Sequence, residues 1–143
     1  MAPGGKTMPL DANGFSALRH ADRLGGLPVL DTDVIMSLRE LGGGHDDLLI
    51  ELIDLFLMDV SERSQELVEA TDAGDAHRVS EAAHALKSSS ANLGALSLSM
   101  VCADVESHAR NGNTDTCAPL VMQVGGMLAE VRAALTALRL ECR

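Results

Sequence analysis

The chain has 143 residues, 46% of them apolar, with two Phe, no Trp and no Tyr, and a formal net charge of −10. That length suits one domain with one core, filled by Leu, Ala, Val and Met, which favours helices over a sheet sandwich. The strong negative charge argues against nucleic acid or an anionic membrane surface as the partner. Cys102, Cys117 and Cys142 form no CxxC pair, so neither a disulfide framework nor a zinc site is indicated; they read as packed or free thiols of a reducing cytoplasm. No charged start followed by an apolar run marks a signal peptide, and the richest apolar stretch, Leu48 to Val60, is too short and too charged to span a bilayer.

Residues 1–27 are rich in Gly, Pro and small polar residues and read as a flexible tail or linker, with a short helix available over Asn13–Leu24 before Gly25-Gly26 and Pro28. Residues 28–143 form the domain. Asp31 is an N-cap for a helix carrying Val34, Ile35, Leu38 and Leu41, stopped by Gly42-Gly43-Gly44. The next helix begins near His45 or Asp46 and runs to about Ala73, with Leu49, Leu52, Ile53, Phe56, Val60 and Leu67 as its stripe. Gly74 breaks it, and Asp75 caps a third helix from about Ala76 to Leu93. Gly94 marks a bend, and a fourth helix carries Leu96, Leu98, Met100, Val101 and Val105 as far as Arg110. After the turn Asn111-Gly112-Asn113, a last helix starts at Asp115 or Thr116, with Pro119 in its first turn and Val121, Val124, Leu128, Val131, Leu135 and Leu138 on its apolar side. Short loops between these elements predict an all-α fold: an antiparallel four-helix bundle, with the additional short N-terminal helix packed across one end.

One run stands out: His84-Ala85-Leu86-Lys87-Ser88-Ser89-Ser90-Ala91-Asn92-Leu93-Gly94-Ala95. At about 100° per residue, Val79, Ala82, Leu86 and Leu93 share one side of the third helix, and His84 lies about 160–180° from Leu86 and Leu93. Lys87, Ser88 and Ala91 fall within about 60° of His84. The imidazole is therefore expected to face outward, one turn from a cation and beside small residues. Neutral imidazole is a nucleophile near pH 7 and can take a phosphoryl group from an acyl phosphate, whose added charge the Lys87 ammonium would offset. Glu106 on the fourth helix is a candidate to accept from Nδ1–H and leave Nε2 as the nucleophile; an ordinary surface glutamate is the competing reading.

The pattern His84-x-Leu86-Lys87-Ser88-Ser89-Ser90-x-x-x-Gly94-Ala95 resembles the signature of histidine-containing phosphotransfer (HPt) domains, usually H-x-L-K-G-S-x-x-x-x-G-A. The stretch from Leu30 to Leu138 follows that family's helix layout. The resemblance implies a phosphorelay: His84 takes a phosphoryl group from the aspartate of one receiver domain and passes it to the aspartate of another response regulator, while Lys87 neutralises the phosphate. It implies a carrier rather than an enzyme, without cofactor or metal, since receivers bring their own Mg²⁺; no Walker-type glycine loop is present. The partners implied are receiver domains and a sensor histidine kinase, with His77, Ser80, Lys87, Ser88 and Ala91 on the docking surface. No nucleic acid and no membrane insertion are expected, the location is cytoplasmic, and the default state is a monomer. The Gly/Pro-rich start fits a natural tail or a linker from a larger hybrid sensor kinase. Two positions depart from the common pattern: Ser88 stands where glycine is usual, and Glu106 where several members carry glutamine.

Two other readings remain at this point. Glu81-x-x-His84 has the spacing of di-iron bundle ligands, but no second copy exists and His84 faces away from the core stripe. A helical interaction module that binds a receiver or kinase without taking phosphate is the alternative function. His45 and His108 sit at helix ends, and His77 shares the face of His84 two turns earlier.

Overall fold

The computed structural model describes residues 29–142, which form five helices and no strand: α1 (Thr32–Leu41), α2 (Asp47–Asp72), α3 (Ala76–Asn92), α4 (Leu96–Arg110) and α5 (Thr114–Glu141). The expected tail over 1–27 and the helix over Asn13–Leu24 lie outside the described residues. Helices α2 to α5 make the antiparallel bundle, each packed on its neighbours in the cyclic order α2, α3, α4, α5, and α1 sits against α2 and the α3–α4 turn.

Caps act where the sequence puts them. Asp31 Oδ1 accepts from the Asp33 amide at 2.8 Å, and Asp75 Oδ1 from the Arg78 amide at 3.2 Å. The core stripe of α2 is buried at Leu49, Ile53, Phe56, Val60 and Leu67, and that of α5 at Val121, Val124, Leu128, Val131 and Leu135. Each such side chain contributes about 1.5–3 kcal/mol by leaving water. Helix α5 is long and apolar enough, by length and composition alone, to cross a membrane; its stripe packs instead against α2 and α4. Bidentate Arg139–Asp54 (2.7 and 3.1 Å) ties α5 to α2, and Arg78–Glu66 (2.9 and 3.1 Å) ties α3 to α2. Those pairs fix register more than they add stability, because they are solvated.

Three expectations are corrected. The buried stripe of α4 is Leu98, Cys102, Val105, Glu106 and Ala109, while Leu96 and Met100 face outward, with Met100 61% exposed. Four-residue steps from Leu98 through Cys102 to Glu106 set the phase, and Leu96 and Met100, each two residues and so about 160° from Leu98, fall on the opposite side of the helix. Leu41 is also outside, at the C-terminal end of α1. Finally, α5 begins at Thr114, so Pro119 is its sixth residue rather than part of its first turn, and the Asp115 carbonyl loses its helical donor.

The α3–α4 turn depends on Gly94. Its φ is +81°, and a Cβ there would stand 3.0 Å from the Asp31 carbonyl oxygen and 3.1 Å from Val34 Cβ. The glycine carbonyl in turn accepts from the Asp31 amide at 2.8 Å, joining α1 to the turn. Gly94→Ala is therefore expected to destabilise the domain by about 2–4 kcal/mol, from left-handed strain and overpacking together. Gly125→Ala, in an exposed stretch of α5 with nothing within 4 Å of the new Cβ, is expected to stabilise by about 0.5–1 kcal/mol. Denaturant unfolding of both variants measures the contrast.

Candidate functional site

His84 stands on the outer face of α3, opposite the buried Val79, Ala82 and Leu86, and its side chain is 57% exposed. Glu106 reaches it from α4 with a side chain only 4% exposed. Its Oε2 lies 2.9 Å from His84 Nδ1 and its Oε1 lies 2.6 Å from Lys87 Nζ. Arg110, one turn further along α4, places a guanidinium nitrogen 2.7 Å from the same Oε2. The competing reading of Glu106 as a surface glutamate is thereby rejected: it is buried, and it links α3 to α4.

Burial by itself would raise the Glu106 carboxyl, but the hydrogen bonds from Lys87 and His84, with the charges of Lys87 and Arg110, outweigh it and hold the group below its ordinary range. An ionised carboxylate only accepts, so the Nδ1 nitrogen facing it carries the proton in neutral His84, and Nε2 holds the free lone pair. Among the described residues Nε2 has no hydrogen-bond partner.

The remaining predicted residues are distributed as follows. Lys87 is half-buried rather than freely exposed, through its bond to Glu106. Ser88 is exposed and Ala91 half-buried beside it. Ser80 is half-buried and donates to the His77 carbonyl, and His77 is exposed, with Nε2 3.2 Å from Glu81 Oε2. The three serines split: Ser90 points into the core, fully buried, and its hydroxyl has no partner. Glu81 thus pairs with His77 and not with His84, and among the described residues no group of three or more His, Cys, Asp or Glu is gathered to hold a metal. Cys102 and Cys117 are buried free thiols; burial pushes Cys102 up to about 12 and Cys117 in the same direction, which keeps both protonated.

An open groove of about 900 Å³ runs from His84 toward the start of α3, lined by His77, Ser80, Glu81, Arg110 and, from α2, Arg63. The reading of the sequence did not place Arg110 or Arg63 here. The four-residue spacing from Glu106 to Arg110 on one helix was the available signal for the first; nothing local indicated the second.

A helical bundle that holds one imidazole outward by a buried carboxylate, with cations beside it, is built to carry a charged group on that ring. The comparisons agree with this class. The Hpt domain family matches residues 51–138. The crystal structure of histidine-containing phosphotransfer protein B from Pseudomonas aeruginosa is similar at 34% identity, over 81% of this chain and 98% of that chain, with a TM-score of 0.75. No curated protein matches. The chain belongs to the Hpt family of histidine phosphotransfer proteins. It works in histidine phosphotransfer within a phosphorelay, as a phosphocarrier, and the family interacts with response-regulator receivers and kinases.

Glu106 also makes stability depend on pH in a defined direction. Its folded-state carboxyl lies below the unfolded value, so the unfolded chain binds the proton first as pH falls. The contribution is complete above the unfolded pKa of about 4.3 and disappears as pH falls through the lower folded value. Denaturant midpoints between pH 7 and pH 3 are expected to fall less steeply in Glu106→Gln than in the parent. Equal slopes would show that Glu106 is not linked to folding.

Proposed function

We propose that His84 is the phosphoryl acceptor and that Nε2 is the atom that takes the group. The observation that supports this most is the pairing of an exposed imidazole with a buried carboxylate on Nδ1, 2.9 Å away, which leaves Nε2 directed at solvent. In the step, the Nε2 lone pair attacks the phosphorus of a receiver's aspartyl phosphate, and the P–O bond to the aspartate breaks with its electron pair onto the carboxylate. The reverse step loads the next receiver.

Lys87 and Arg110 lie where they can offset the phosphoryl charge, since both already reach the carboxylate that touches the ring. His77, Ser80, Lys87, Ser88 and Ala91 form the docking surface on α3. Ser88 narrows the approach relative to a glycine, and Ala91 keeps it low. The step calls for no nucleotide site and no cofactor on this chain; Mg²⁺ belongs to the receiver. The protein acts as a cytoplasmic monomer, charged by a receiver that a sensor histidine kinase has loaded.

Mixing the full chain with a phosphorylated receiver domain tests the assignment. Acid-labile label is expected on the parent and absent from His84→Gln, which should keep its helical circular dichroism and lose no more than about 1 kcal/mol. Label that persists in His84→Gln would sink the assignment. Lys87→Ala is expected to slow transfer on the order of 10²-fold. It should also cost about 1.5–3 kcal/mol, because it removes a charged partner of buried Glu106.

A further inference from the structure

Glutamate at position 106 has a consequence that an amide there would not have. Once Nε2 carries the phosphoryl group and Nδ1 keeps its proton, the ring bears a positive charge spread over both nitrogens. Return of the group then breaks the P–Nε2 bond with its electron pair onto Nε2, and the ring departs as neutral imidazole with no proton moved. If Nδ1 has lost its proton, the departing group is an imidazolate, which leaves poorly. The state of Nδ1 therefore decides whether the bond is a ready donor or a trap.

From the contact at Nδ1, and resting on the reading of His84 above, we infer that Glu106 is a positioning residue whose negative charge keeps the phosphorylated ring protonated, so that phospho-His84 stays transferable at and above neutral pH. Three features carry this. The carboxylate is 2.9 Å from Nδ1 and 4% exposed, so little water screens it from the ring. Its other partners, Lys87 at 2.6 Å and Arg110 at 2.7 Å, are cations that an arriving phosphoryl group attracts for itself. As they turn toward the phosphate, the carboxylate is left with the ring as its remaining counter-charge. The groups facing the ring are Lys87, His77 and Glu81 from α3, Glu106 and Arg110 from α4, and Arg63 from α2; no residue of α1 or α5 lines the groove. Glu81 is engaged with His77, which leaves Glu106 as the carboxylate on Nδ1.

The experiment loads the full-length parent and Glu106→Gln from a phosphorylated receiver domain, removes the receiver, and follows loss of acid-labile label to water between pH 6 and pH 10. Gln keeps the shape and an acceptor oxygen but not the charge. The midpoint at which the bond becomes stable is expected about one pH unit or more lower in Glu106→Gln, so that at pH 8 its label lasts about tenfold longer. Superimposable profiles would overturn the inference and leave His84 as the acceptor. Absence of label from the parent, or label surviving in His84→Gln, would overturn the reading of His84 and this inference with it. Nitrogen-15 NMR of the phosphorylated parent gives an answer even where Glu106→Gln does not fold: Nδ1 is expected to remain protonated at pH 8, and an unprotonated Nδ1 there overturns the proposal.

Discussion

A carboxylate taken out of water costs several kcal/mol unless charges and donors replace its hydration. Glu106 is in that position, and most of what is distinctive about this bundle follows from how its cost is met. One oxygen takes the Lys87 ammonium, and the other takes His84 Nδ1–H and the Arg110 guanidinium. Two of these three partners sit on α3 and one on α4. Satisfying the carboxylate therefore fixes α3 against α4 in both register and rotation. The same rotation turns His84 outward and commits its proton to Nδ1. Stability and chemistry here depend on one side chain.

The bridge works only because the two helices lie close together. Ala82, Ala83 and Ser90 on α3 and Ala109 on α4 are buried, as is Ala95 at the turn, and none is large enough to hold the axes apart. Close approach has local costs. The Ser90 and Ser97 hydroxyls are buried with no partner, each an expense that a larger apolar residue would avoid only by separating the helices. The turn can be tight because Gly94 adopts a positive φ and lets the Asp31 backbone come within hydrogen-bonding range of it. The glycine in the His84 run is thus tied to the docking of α1, not to the phosphoryl group directly.

Features set by one helix alone were legible in the sequence. Periodicity placed the core stripes of α2 and α5, glycines and capping aspartates placed the breaks, and helical phase turned His84 outward. Features that need two helices at once were not. Helical phase within α4 puts Glu106 at the edge of the Leu98–Cys102 stripe, but the cations and the imidazole that make a buried carboxylate tolerable there come largely from α3, and no pattern within α4 announces them. The outward placement of Leu96 and Met100 was missed for a related reason: Cys102 and Ala109 carry the buried stripe, and their small side chains give a weak signal against two larger apolar neighbours. Arg63 enters the groove from α2, more than twenty residues before His84, where only the assembled bundle brings it near.

The net charge of −10 opposes the approach of a phosphoryl group, whose oxygens bring further negative charge to the site. The local distribution removes the conflict. Lys87 and Arg110 are already gathered at the ring by Glu106 and need not be recruited from solvent when the phosphoryl group arrives. A cation left unpaired beside the ring would bind the phosphate more tightly and release it more slowly. A cation shared with a buried carboxylate is held in place and is also held back, because its charge is divided between Glu106 and the phosphate. That competition limits how far the phosphorylated state can be stabilised. A relay needs such a limit, since a carrier that bound its cargo too well would end the sequence at itself.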